Sequence, residues 1–182
     1  MKTLILVIIS TSLLLDSQLY VKNKMYNSLA QTDSIKFKNI TIIQYQPSFK
    51  NFLGSDKDYR KCEITSYDLA LIDSLFNICI NNYNRQQEQA FSDFKRKNPG
   101  TVLTKNDFVI KDFKYHKRQY IPYINSKGEK IVWINCFCSV DRNSDDWKNE
   151  LIFVLDGGNC YFNLKINLNT KKSFDLIVNG DA

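Results

Sequence analysis

Apolar residues recur along this chain with two periods, and each period predicts an element. From Leu69 to Tyr83 they fall at three- and four-residue steps (Leu69, Ile72, Leu75, Phe76, Cys79, Ile80, Tyr83), while Asp73, Asn77 and Asn81 repeat every fourth residue on another face. That is the stripe of an amphipathic helix. Thr65 or Ser66 suits its N-cap and Asp68 its first turn, where a carboxylate meets the partial positive charge of the helix end. The pattern runs on through Ala90, Phe91 and Phe94 until Asn98-Pro99-Gly100 stops it.

Elsewhere the period is two. Ile35, Phe37, Ile40 and Ile42 predict a first strand over 35–46, ended by Pro47, and Gly54-Ser55-Asp56 marks a loop after it. Asp107–Phe113 and His116–Ile124 predict two more strands, the second at a sheet edge because Pro122 has no N–H to donate. Glu129–Cys138 is β-branched and aromatic on both faces, as a strand covered on both sides would be. Residues 139–149 read as an acidic loop. Leu151–Leu155 predicts a strand joined by a hairpin at Asp156–Asn159 to the alternating run Cys160–Leu168. The Phe162, Leu164, Ile166 and Leu168 face of that run is the expected floor for the helix stripe, and Phe174, Leu176 and Val178 close the sheet. The order predicts an α+β domain, one long amphipathic helix packed on an antiparallel meander sheet of four to five strands. By fold-level analogy this looks like the cystatin-like or NTF2-like plan, which carries no function.

Composition changes this picture little. With 182 residues, 43% apolar and 24% charged, the chain is not disordered, collagen-like or of low complexity, and it can bury a core without staples. The N-terminus changes it more. Lys2 precedes an uncharged, mostly apolar run of 13 residues, Thr3–Leu15. That run is too short to cross a hydrocarbon core of ~30 Å but has the length of a secretory h-region. It predicts a signal peptide over 1–17, a linker or N-terminal arm over 18–34, one domain over 35–182, and a periplasmic or secreted protein. An uncleaved N-terminus anchoring the chain to the membrane is the alternative. No Cys follows the run, so a lipid-modified Cys is not expected.

The runs WINCFC, DGGNCYFNLKINL and VNGDA together resemble a group of small uncharacterised exported bacterial proteins, over roughly residues 65–182, with Asp156–Leu168 the most specific piece. The resemblance implies export and a single domain. It implies no activity, ligand or catalytic residue.

Export would permit disulfides. The five Cys (62, 79, 136, 138 and 160) leave at least one thiol unpaired in a monomer. A helix from Ser66 carries Cys79 too far from Cys62 to bridge, and Cys136–Cys138 would strain the Cα spacing. A simple meander puts Cys138 and His116 at one end of the sheet and Cys160 at the other. Reduced or partly paired Cys in a core are expected.

His116 is the only histidine. Any Ser-His-Asp or Cys-His arrangement would need it as base. Its neighbours Lys114, Lys117 and Arg118 disfavour its protonated form, and it reads as an exposed residue at a strand start. Cys136-x-Cys138 with His116 falls short of a closed tetrahedral metal site, so no metal and no cofactor is expected. Asp145-Asp146 beside Trp147 could do acid–base work but matches ordinary loop composition. No G-x-S-x-G, Walker or G-x-G-x-x-G motif occurs.

The net charge is +6, and residues 85–118 hold nine basic against four acidic residues. Lys95, Arg96, Lys97, Lys117 and Arg118, with Tyr120, are therefore the candidate binding residues for an anionic surface or an envelope protein. Lys117 and Arg118 adjoin on a strand and so face opposite sides, which works against a single patch. The leading function is an exported, non-enzymatic binding or interaction module of the cell envelope. The alternatives are an enzyme using His116 or Asp145/Asp146, and an intracellular nucleic-acid binder if the N-terminus is not a signal. For an exported chain no nucleic-acid partner is expected.

Overall fold

The computed structural model describes residues 38–54, 58–138 and 146–180. The predicted signal, the linker, the start of the first strand, and Asp145 in the acidic loop lie outside them.

Strand β1 (Ile40–Ile42) is followed by a 3-10 turn at Pro47–Phe49, the short helix α1 (Lys50–Leu53), strand β2 (Arg60–Lys61) and the long helix α2 (Ser66–Lys97). Strands β3 (Lys117–Ile124), β4 (Lys130–Phe137), β5 (Tyr161–Asn167) and β6 (Lys172–Val178) complete the α+β fold. The sheet is six-stranded and mixed, with order β1-β3-β4-β5-β6 and β2 also on β3. Consecutive strands β3 to β6 form an antiparallel meander, while β1 runs parallel to β3. The expected sheet was purely antiparallel. The parallel pair arises because α2 lies between β1 and β3 and returns the chain in the same direction.

Helix α2 begins at Thr65, one of the two N-caps the sequence offered, and Asp68 closes a capping box with it. Thr65 Oγ1 accepts from the Asp68 N–H at 3.2 Å, and Asp68 Oδ2 accepts from the Thr65 N–H at 2.9 Å. Lys130 Nζ reaches the same carboxylate at 2.6 Å and ties the helix start to β4. Ile72, Phe76 and Ile80 are fully buried, one turn apart, against Val132, Ile134, Phe162, Leu164 and Ile166. The last turn carries Lys95, Arg96 and Lys97, where cations suit the helix C-terminus.

The other sheet face is covered as well. Ile43, Tyr45 and Leu53 pack on Ile121, Tyr123, Ile131 and Trp133, so β4 is covered on both sides as its composition indicated.

Three expected elements differ. Pro122 sits in a strand paired on both sides. Arg118 donates its N–H to Asn39, and Tyr120 C=O accepts from Ile43 N–H, so even positions of β3 face β1. Pro122 faces the gap between β1 and β2, where no partner needs its missing N–H. Residues 107–113 are not a strand. Thr104 and Asp107 cap a 3-10 turn, and the Asn84 amide pairs with both the N–H and the C=O of Ile110 at 2.9 Å, substituting for a neighbouring strand.

Leu151–Leu155 belongs to no strand, and no hairpin follows it. Gln119 Oε1 accepts from Ile152 N–H, Asn135 donates to Ile152 C=O, and Asn179 donates to Val154 and Asp156 C=O. With that strand absent, β5 pairs directly with β4. Cys160 therefore lies beside Cys138, not at the far end, and the two form a disulfide with a Cα–Cα separation of 5.2 Å. Cys62, Cys79 and Cys136 are free thiols.

Candidate functional site

Arg118 and Tyr120 share the helix-facing side of β3, by the two-residue period of a strand, and His116 precedes the strand on the same side, against Phe162. His116 and Arg118 are 4% and 6% exposed, and Tyr120 is fully buried. The expectation of an exposed His116 is therefore corrected: its ring packs on Phe162 at 5.5 Å, and Nδ1 lies 3.3 Å from the Asp112 carbonyl. The Arg118 guanidinium lies over the Phe76 ring at 4.1 Å, donates to Phe113 C=O at 3.1 Å and has Asp73 at 3.7 Å as counter-ion. His116 Nε2, Arg118 Nε and Tyr120 Oη are buried without hydrogen bonds of good geometry.

Of the candidate cation surface, the structure brings together only Lys95, Arg96 and Lys97, exposed at the end of α2, with Arg96 paired to Asp93 at 3.0 Å. Lys117 is on the opposite side of the sheet from Arg118, over the Trp147 ring at 5.1 Å. Arg118 and Tyr120 are interior. Asp146 is exposed at the start of a 3-10 turn whose Trp147 is buried.

The interior row is electrostatically tuned. Burial pushes the Cys136 thiol and the Tyr120 phenol each up to about 12, against the opposing pull of Arg118, so both are neutral at pH 7. Burial also lowers the His116 pKa; the Asp112 carbonyl opposes this and the Arg118 charge adds to it. The unfolded chain then binds a proton at His116 more readily than the native one, so stability is full above pH ~6.5 and declines as pH falls towards the lowered folded pKa. Denaturant melts between pH 7 and pH 5 should show this decline, and His116→Leu should flatten it. An unchanged slope in the variant would assign the decline to other groups. The Asp68 carboxyl is also desolvated, but its bonds to Lys130 and Thr65 outweigh this and hold it below the usual range. Its contribution is lost only at lower pH, below ~4.

A different arrangement occupies the second face. A cavity of about 250 Å³ opens there, lined by Gly54, Tyr59, Tyr123, Lys165, Phe174 and Asp175 among others. Two backbone features shape it. Gly54 has φ +122°, a conformation side-chain-bearing residues rarely adopt, and a Cβ there would stand 3.3 Å from Tyr59 Oη and 3.7 Å from Lys165 Nζ. Asp175 has φ +51°, at a β-bulge where two residues of β6 oppose Leu164. The bulge shifts the alternation of β6, so that Leu176 and Val178 join the helix-side core while Phe174, opposite Lys165, faces the cavity.

The Lys165 side chain, 13% exposed, donates to Asp175 Oδ2 at 2.8 Å and lies over Phe174 at 5.8 Å. Tyr59 packs edge-on to Tyr123 at 4.9 Å. Next to Leu53, the Phe52 ring packs at a tilt against Trp133 at 6.3 Å and Phe153 at 5.8 Å, leaving Phe52 and Phe153 exposed on this face. The sequence offered little sign of this cavity, because Gly54-Ser55-Asp56 reads as a plain loop and Phe174-x-Leu176-x-Val178 as one uninterrupted face.

Among the described residues, no helix is long and apolar enough to cross a membrane, and no group of His, Cys, Asp or Glu is arranged to hold a metal ion. Compared with protein-family models, curated proteins and solved structures, the chain matches none.

Proposed function

We propose that the chain is an exported binding module of the cell envelope that engages its partner through the second face of the sheet rather than through a catalytic centre. The observation that carries this reading is that one sheet face holds both the cavity and, packed around Trp133, the exposed rings of Phe52 and Phe153, since a concave site and exposed apolar surface on one face are what recognition uses. The only histidine belongs to the helix-side core, away from this cavity. The Cys138–Cys160 disulfide supports export, because such bonds persist in oxidising compartments. So do Lys2 and the apolar run after it. We place the helix on its meander as a variant of the cystatin-like or NTF2-like plan.

Two measurements test the reading. Mass spectrometry of the protein recovered from its source should find a mature N-terminus near residue 18; an intact Met1 in a soluble cytoplasmic fraction would overturn export. The protein should also cosediment with isolated envelope fragments and lose this with Phe153→Asp, but keep it when Lys95, Arg96 and Lys97 are neutralised. The opposite pattern would move binding to the basic helix end.

A further inference from the structure

We infer that the second-face cavity binds a neutral, hydroxyl-rich ring with one apolar side, chemically a pyranose sugar; this rests on the binding reading above and names its ligand class. Size comes first. At about 250 Å³ the cavity is smaller than the ~300–1,000 Å³ of sites for drug-sized ligands, so it suits a single ring or the end of a longer chain.

Charge then selects among small ligands. Lys165 and Asp175 already neutralise one another at 2.8 Å on the cavity wall. An anion at Lys165 would stand beside the like charge of Asp175, and a cation at Asp175 would stand beside the like charge of Lys165. A purely apolar ligand would strip water from both without replacing their hydrogen bonds, which costs more than the contact returns. A hydroxyl escapes all three penalties, because it donates and accepts at once. It can accept from the Lys165 ammonium, whose three N–H groups are not exhausted by one carboxylate oxygen, and donate to Asp175, which is about half exposed.

The remaining walls add shape. Phe174, 37% exposed, offers a ring for the C–H side of a sugar, with the Tyr59 and Tyr123 pair also lining the cavity. Asn125 also lines it, but its amide is consumed by its own turn, donating to Glu129 and accepting from the Lys127 and Glu129 N–H groups. Gly54 keeps Lys165 Nζ reachable, since a Cβ would stand 3.7 Å from it.

The test is an amide-shift titration of the full domain with the methyl glycosides of glucose, galactose, mannose and N-acetylglucosamine at millimolar concentrations, with succinate and putrescine as charged comparisons. At least one glycoside should shift the Gly54, Lys165 and Phe174 amides saturably. Phe174→Ala and Lys165→Met should each weaken it about tenfold, with the remaining spectrum intact to show that the variants fold. Silent glycosides, shifts elsewhere, or unchanged affinity in both variants would overturn the inference. Saturable succinate or putrescine binding with silent glycosides would overturn the ligand class alone. If the glycosides are silent while envelope cosedimentation still depends on Phe153, the binding reading stands and the sugar does not; if both fail, both fall.

Discussion

Asp73→Ala is expected to destabilise the domain by about 3 kcal/mol or more, because it strands a positive charge inside the core. Arg118 is a cation on a strand whose neighbours at that level are Phe76, Phe113 and Phe162, and its side chain is 7% exposed. The ring of Phe76 and the carbonyl of Phe113 attract the guanidinium, but among the described residues only Asp73 carries a compensating charge in contact with it. At 3.7 Å the pair is not closely hydrogen-bonded, and the Asp73 side chain is 20% exposed, so the loss belongs at the lower end of the range of about 3–5 kcal/mol for breaking buried pairs. The double variant Asp73→Leu, Arg118→Met should recover most of it, since apolar replacement of both partners removes the stranded charge as well as the attraction. Chemical denaturation of wild type, both single variants and the double variant measures the coupling. A loss below about 1 kcal/mol for Asp73→Ala would show that solvent, not Asp73, compensates Arg118.

The parts of the fold that were legible in the sequence are those whose own periodicity makes them. Helix α2 carries its stripe, its cap and its stop within one contiguous stretch, and β4 and β5 announce their faces by composition and alternation. The parts that were not legible have backbones satisfied by side chains distant in sequence. Ile110 depends on Asn84, and Ile152 depends on Gln119 and Asn135. An apolar run of five residues looks the same whether a strand or a row of amide side chains meets its carbonyls. That one difference carried a second with it, for Cys160 reached Cys138 only because no strand stood between β4 and β5. Local charge misled in the case of His116. Lys114, Lys117 and Arg118 suggest a solvated stretch, yet Arg118 turns inward on β3 and His116, just before it, packs inside against Phe162. The cavity depends on one left-handed residue, Asp175, that turns Phe174 away from Leu176. Nothing in an alternating Phe-x-Leu-x-Val pattern encodes a bulge.

Leu164→Ala is the sharpest check on how helix and sheet meet, with an expected loss of about 2–5 kcal/mol. Leu164 is fully buried at the centre of β5, directly opposite Ile134 on β4 and beside the bulge of β6. It belongs to the cluster that α2 closes with Ile72, Phe76 and Ile80. Truncation removes the transfer energy of the lost methyl and methylene groups and leaves a cavity between two stiff elements. How far the site can collapse decides where in the range the value falls. The sheet side resists, because β5 is hydrogen-bonded on both edges to β4 and β6. The helix side resists too, because α2 is fastened to β4 near its start by the Asp68–Lys130 ion pair and farther along to the 105–110 segment by the Asn84 amide. With both walls held, the cavity should persist and the loss should lie in the upper half of the range. Lys165→Met, one residue along on the opposite face, serves as the contrast. It keeps an apolar stem in place and takes nothing from the helix-side core, so it should cost well under 1 kcal/mol in the same melt. A Leu164→Ala loss below about 0.5 kcal/mol would mean that α2 does not rest on this face of β5.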